Sequence, residues 1–199
     1  MIADFWFDPS CPYTWVTSRW ALEVERVRPV EFRWRVLSLW ALNEGREDDP
    51  ENDPEGYLRY PVRVCAAVAD RHGPAALGRF YTEYGTRAHE RAEWGAFADA
   101  LTAAGLPPEL AGAAESDAYD DAVRASTAEG VARVGPHIGT PVLAAGDVAF
   151  FGPVLSRTPR GEDAGRLWDG TLLVAGTPGF HELKGPPPAE PNSDRHGDR

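Results

Sequence analysis

The four residues Cys11-Pro12-Tyr13-Thr14 hold the most chemistry in this 199-residue chain. The apolar run Ile2–Phe7 ends at Asp8-Pro9-Ser10, and helical spacing begins at Pro12, so Cys11 falls at a strand-to-helix turn. A thiol at a helix start lies among backbone N–H groups that have no partner, at the positive end of the helix dipole. Both favour thiolate, so Cys11 is expected to titrate below a free thiol and to act as a nucleophile near neutral pH. Pro12 suits the first helical turn, and Tyr13 and Trp15 would lay apolar surface beside the sulfur. Thr14 stands where a dithiol oxidoreductase carries its second cysteine. Its hydroxyl can donate to a thiolate but cannot form a disulfide with it. The plainer reading makes Cys11 a small buried residue closing a strand, and its place between Asp-Pro-Ser and a helix favours the reactive one.

The other cysteine, Cys65, sits in the apolar helical stretch Val62–Val68 and reads as core. Two cysteines do not make the disulfide framework of a small secreted domain. Thr140-Pro141 opens a strand, and an X–Pro bond there is a candidate for the cis form. Of the five histidines, His89 falls at an expected helix boundary where it could face a cleft, while His137 neighbours the Thr-Pro turn. There is no metal-ligand spacing, no Gly-rich phosphate loop and no G-x-S-x-G elbow, so neither a metal nor a nucleotide is expected. A formal net charge of −11, with no basic block, argues against nucleic acid. No apolar run is long enough to span a membrane, and the N-terminus lacks the basic region of a secretory signal. The expectation is a cytoplasmic protein.

These residues need elements to position them. The opening reads as a strand over Ile2–Phe7, a helix from Pro12 limited by Pro29, and an alternating strand over Val30–Leu39, together a βαβ unit. Asn43–Gly56 is acidic and rich in Pro and Gly, an exposed loop rather than a metal cage. Helices follow over Pro61–His72, stopped by Gly73, and over Pro74–Tyr84, stopped by Gly85. Trp94, Phe97, Ala98 and Leu101 form an amphipathic stripe, and a short helix from Pro107-Pro108 precedes a longer one, capped near Ser116 or Asp117 and running to Val134. Strand signals return at Val142–Ala144 and Val148–Phe151 around a Gly146-Asp147 turn, and a last helix carries Ala164, Leu167, Trp168 and Leu172. With 43% hydrophobic residues, including seven Trp, the chain can fill a core. The expected class is α/β, with a sheet assembled from 1–40 and 136–184, a helical insertion at 41–135, and a disordered Pro-rich tail at 185–199.

Taken together, the chain resembles DsbA-like thioredoxin-fold proteins, a superfamily that includes kappa-class glutathione transferases and hydroxychromene-carboxylate isomerases. Within it, the chain resembles most the mycothiol-dependent nitroreductase family of actinobacteria. The likeness runs to about Lys184. It rests on Asp4–Pro9 before Cys11-Pro12, Thr17–Trp20, Leu42–Glu44, Pro61–Val64, Ser116–Asp120, Gly139–Pro141, Phe150–Ser156 and Pro159–Glu162. The resemblance implies a thioredoxin-like fold, Cys11 as the active thiol, Pro141 as a cis proline facing it, and Thr140 offering its backbone to a bound thiol. It also implies that Asn43, His89 and the Phe151-Gly152-Pro153 turn line a pocket. The chain departs from the family at Thr14, where members commonly carry a second cysteine, and this leaves a monothiol mechanism.

The expected function is that of an oxidoreductase in which Cys11 attacks a small-molecule electrophile or a mixed disulfide. Mycothiol or another small thiol would then resolve the adduct. A thiol-dependent isomerase or transferase, and a non-catalytic thiol-binding protein, are the alternatives. The expected partners are a small substrate and the thiol, with monomer and homodimer both open.

Overall fold

The hydrophobic alternation of the N-terminal third builds the centre of the sheet. The computed structural model describes residues 1–136 and 138–192. β1 (Ile2–Phe7) runs parallel to β2 (Glu31–Val36), with Phe5 opposite Trp34, and is joined to it by α1 (Pro12–Val27). On its other edge β1 pairs antiparallel with β3 (Val142–Ala145), placing Ala3 opposite Ala145, and β3 turns into β4 (Val148–Phe151). The order β2-β1-β3-β4 makes the expected mixed α/β sheet of a thioredoxin-like fold. Between β2 and β3 lie α2 (Leu39–Asn43), α3 (Arg59–Arg91), α4 (Phe97–Ala103), two 3-10 turns over Pro108–Glu115 and Asp117–Tyr119, and α5 (Asp120–Val134). After the sheet, α6 (Gly161–Ala175) returns onto α1, where Trp20 Nε1 donates to the Ala164 carbonyl at 3.0 Å.

One face of the sheet packs its aromatics against α1, α3 and α6. Phe7 stacks on Tyr81 with ring centroids 3.9 Å apart, and Phe32 meets Trp168 edge to face at 5.2 Å. The opposite face buries Trp6, Leu37, Val142 and Ala144 in a smaller cluster.

Two expectations about the elements change, and the one at Gly73 holds. Leu39 leaves the strand and opens α2, because the Ser38 side chain accepts from Ala41 N–H and caps a helical turn. Gly73 does break the helical path, with φ 80° and ψ 178°, a conformation in practice open only to glycine. Gly85 does not stop the helix, which runs on to Arg91. The absence of a Cβ at Gly85 admits the Trp15 indole, and Gly78, two turns earlier, does the same for Trp34. These glycines are notches. Of the tail, residues 185–192 have no helix or strand, and Asn192 N–H donates to the Ser156 carbonyl; residues 193–199, including His196, and also His137, lie outside the described residues.

Candidate active site

Cys11 is the N-cap of α1, with Pro12 in the first helical turn, and the residue as a whole is half-buried. The Cys11 carbonyl accepts from Trp15 N–H at 3.0 Å, and its own N–H donates to the Asp8 carbonyl at 3.2 Å, which closes the turn. The electrostatic balance at the sulfur corrects the expectation of a lowered pKa. Burial pushes the thiol above its ordinary value. The Thr14 hydroxyl and the N–H groups of Thr14 and Tyr13 pull it down, the Asp8 charge pushes it up further, and the net shift is upward. The helix start supplies its donors, but desolvation outweighs them. Cys65, fully buried in α3, is pushed much higher.

Beneath the turn lies a group that the sequence reading passed over. Asp8 is wholly buried, its carboxylate accepting from Ser10 N–H and Leu39 N–H, each at 2.7 Å. Desolvation raises its pKa to about 7 despite those two donors. In the sequence, an Asp before Pro-Ser reads as turn composition, and nothing local distinguishes it from an exposed one.

Thr14 and Thr140 meet above Asp8. The two hydroxyls are 3.3 Å apart, and Thr140 Oγ1 also accepts from Asp8 N–H at 3.1 Å. The Thr140–Pro141 bond is cis, as is Gly152–Pro153. The Pro141 carbonyl accepts from Gly152 N–H at 2.8 Å, and the Pro153 carbonyl accepts from Thr17 Oγ1 at 2.9 Å. The two proline turns are thereby fastened to each other and to α1. Phe151 is half exposed beside them, Pro12 is exposed and Tyr13 partly so.

Two expected pocket residues play different parts. Trp15 is 1% exposed, so it offers no surface to a ligand; its indole fills the Gly85 notch under the Arg19 guanidinium, 3.9 Å from the ring centre. His89 lies in the last turn of α3, at a helix boundary as expected, and is stacked on Trp15 at 5.7 Å. Its Nε2 is 2.9 Å from the Pro9 carbonyl, which can only accept, so that nitrogen carries the proton. Burial depresses the His89 pKa to about 4, leaving a neutral ring. His89 thus ties α3 to the turn that carries Cys11. Asn43 is buried at the end of α2, its side-chain oxygen accepting from Arg46 at 3.3 Å. Its link to the site runs through α2, whose first N–H donates to Asp8. A separate groove of about 490 Å³, between β2, the end of α1 and α3, contains none of the expected site residues.

Residues 10–185 match the model of the Rv2466c-like family, described as mycothiol-dependent nitroreductase Rv2466c. The uncharacterized protein Rv2286c of Mycobacterium tuberculosis is 32% identical over 191 residues, covering 92% of this chain and 81% of that one. Among solved structures, a 2-hydroxychromene-2-carboxylate isomerase superposes with a TM-score of 0.57 at 14% identity, over 87% of this chain and 94% of its own. The cytosolic disulfide reductase DsbM of Pseudomonas aeruginosa gives 0.51 at 18%, over 88% and 100%. These two likenesses are of fold.

Proposed function

The chain belongs to the Rv2466c-like family of mycothiol-dependent nitroreductases and is a thiol-dependent enzyme; from that premise we propose that it works with a single cysteine, Cys11, and borrows its second thiol from solution. The carrying observation is the pairing of Thr14 at the resolving position with a Cys65 that is fully buried in α3. The Cys11 thiolate attacks the electrophilic sulfur of a mixed disulfide, the S–S bond breaks, and the departing thiolate takes a proton. Mycothiol, as cosubstrate, then attacks the Cys11 adduct; a new disulfide leaves, and Cys11 returns as thiolate. Thr14 has one hydroxyl proton and two acceptors within reach, Thr140 Oγ1 and the Cys11 sulfur. Donation to sulfur steadies the thiolate when it forms. Dependence on a small thiol suits a compartment that keeps thiols reduced, the cytoplasm.

Intact-mass spectrometry after mixing with an oxidised small thiol tests this. The protein accumulates one adduct, on Cys11, and added thiol removes it with a saturable rate. In Thr14→Cys a second thiol lies in the same helical turn, so the adduct gives way to an internal disulfide and a protein two hydrogens lighter. A Cys11–Cys65 disulfide in the unaltered protein would overturn the monothiol mechanism.

A further inference from the structure

Trp94 reads in the sequence as part of a helical core stripe, yet it lies outside α4, in the turn after the left-handed cap Ala92 of α3, and is 47% exposed. Two contacts hold it there. The Tyr84 hydroxyl donates to its carbonyl at 3.0 Å, and its ring stands edge-on to His89 at 5.1 Å. His89 in turn stacks on Trp15, one helical turn from Cys11, and donates to Pro9, two residues before it. Trp94 is therefore the outermost ring of a ladder, Trp15–His89–Trp94, rooted in the turn that carries the nucleophile. The ladder's middle member is neutral and so presents a flat, uncharged face.

The other flank of α1 is built alike. Trp15 and Thr17 are two residues apart, which in a helix turns their side chains roughly 200° from each other. Thr17 holds the Pro153 carbonyl, and with it the exposed ring of Phe151, 43% accessible, and the exposed Val154. The N-terminus of α1 thus stands between aromatic surface contributed by the helical segment and aromatic surface contributed by β4. An exposed tryptophan with its backbone anchored and its ring propped by a second ring has area ready for a flat partner at small entropic cost.

We propose that Trp94 is a specificity-determining residue for the chemistry of Cys11, its open face stacking on a planar aryl group of the electrophile while the reacting atom reaches the sulfur. This rests on Cys11 as the nucleophile. With an aryl disulfide, the Cys11 thiolate attacks one sulfur, the S–S bond breaks, a Cys11–S–S–aryl bond forms, and the second aryl group leaves as its thiolate. The disulfide is the oxidant and is reduced by that exchange.

The test compares Cys11 modification by two neutral probes, dithiodipyridine, which is planar and aromatic, and bis(hydroxyethyl) disulfide, which is neither. The readout is the aryl-to-alkyl rate ratio, which cancels any general change in thiol reactivity. Trp94→Leu, which keeps apolar bulk, is expected to lower the ratio about fivefold, the effect of one lost aromatic pair. Trp94→Phe, which keeps a ring, should stay within about twofold of the unaltered protein. An unchanged ratio in Trp94→Leu, or an equal loss in both variants, overturns the proposal while leaving Cys11 as nucleophile. Failure of both probes to modify Cys11 in the unaltered protein overturns the nucleophile and the proposal with it.

Discussion

Asp8 and His89 lie on either side of the Cys11 turn and give the folded protein opposite responses to pH. Asp8 has its folded pKa raised from the usual carboxylate value to about 7. Between about pH 4 and 7 the folded state holds a proton there that the unfolded chain has lost, so this group's contribution to stability falls as pH rises. His89 is lowered from 6.5 to about 4. Over that interval the unfolded chain holds the extra proton, so its contribution rises with pH. Each slope is at most about 1.4 kcal/mol per pH unit, and they oppose one another. Urea unfolding from pH 4 to 6.5 should therefore show Asp8→Asn gaining stability with pH more steeply than the unaltered protein, and His89→Gln less steeply. Curves parallel to the parent would mean that one or both groups titrate normally. The same buried charge acts on the nucleophile. Alkylation of Cys11 should still be accelerating above pH 8.5, the ordinary thiol midpoint, and Asp8→Asn should bring its midpoint down, because the Asp8 charge raises it. Cys65 should alkylate only on unfolding.

At the scale of elements, α3 governs how the helical segment meets the sheet. Gly78 and Gly85 each leave room for an indole, Trp34 from β2 and Trp15 from α1. Alanine favours a helix over glycine by about 1 kcal/mol, but here its methyl would overlap a ring held on all sides, at a cost of about 1–3 kcal/mol. Gly85→Ala should lower Tm and slow Cys11 modification, because the displaced indole supports His89. Gly78→Ala should lower Tm with a smaller effect on Cys11. If Gly85→Ala instead raised Tm, the notch would be no more than a weak helix position. These glycines also mark the limit of what the sequence discloses. β1, α1, β2, the β3–β4 hairpin and α6 are legible because each carries its own period and its own stops, and Cys11 and Thr140-Pro141 stand at the ends of such segments. A glycine that stops a helix and one that admits a ring look alike until the ring is known to be there. Asp8 and Trp94 were missed for the same reason. Neither is set by a periodic pattern: the burial of Asp8 depends on Leu39, 31 residues on, and the placing of Trp94 on Tyr84 and His89 across the irregular turn that ends α3.

For the whole molecule, ties distant in sequence hold the two parts of the sheet and the intervening helices together. Arg28 at the end of α1 reaches Glu162 and Asp169 on α6 at 2.8 Å each, on the surface, where such pairs contribute little. The buried joins are apolar contacts such as Trp20 and Phe32 against Trp168, together with the Trp20–Ala164 hydrogen bond and the Arg63–Asp120 ion pair. The sheet order sets when each join can form. β1 is a central strand, yet one of its partners is made early and the other late: Ile2 lies opposite Glu31, whereas Ala3 lies opposite Ala145. The entropy of closing so long a loop delays the second pairing, while α3 can form from local contacts. In pulse-labelled refolding, α3 amides should gain protection before those of β3. On the ribosome the delay is literal. Until β3 emerges, the apolar strand Ile2–Phe7 has one unpaired edge, and the nascent chain must carry that sticky edge through most of its synthesis.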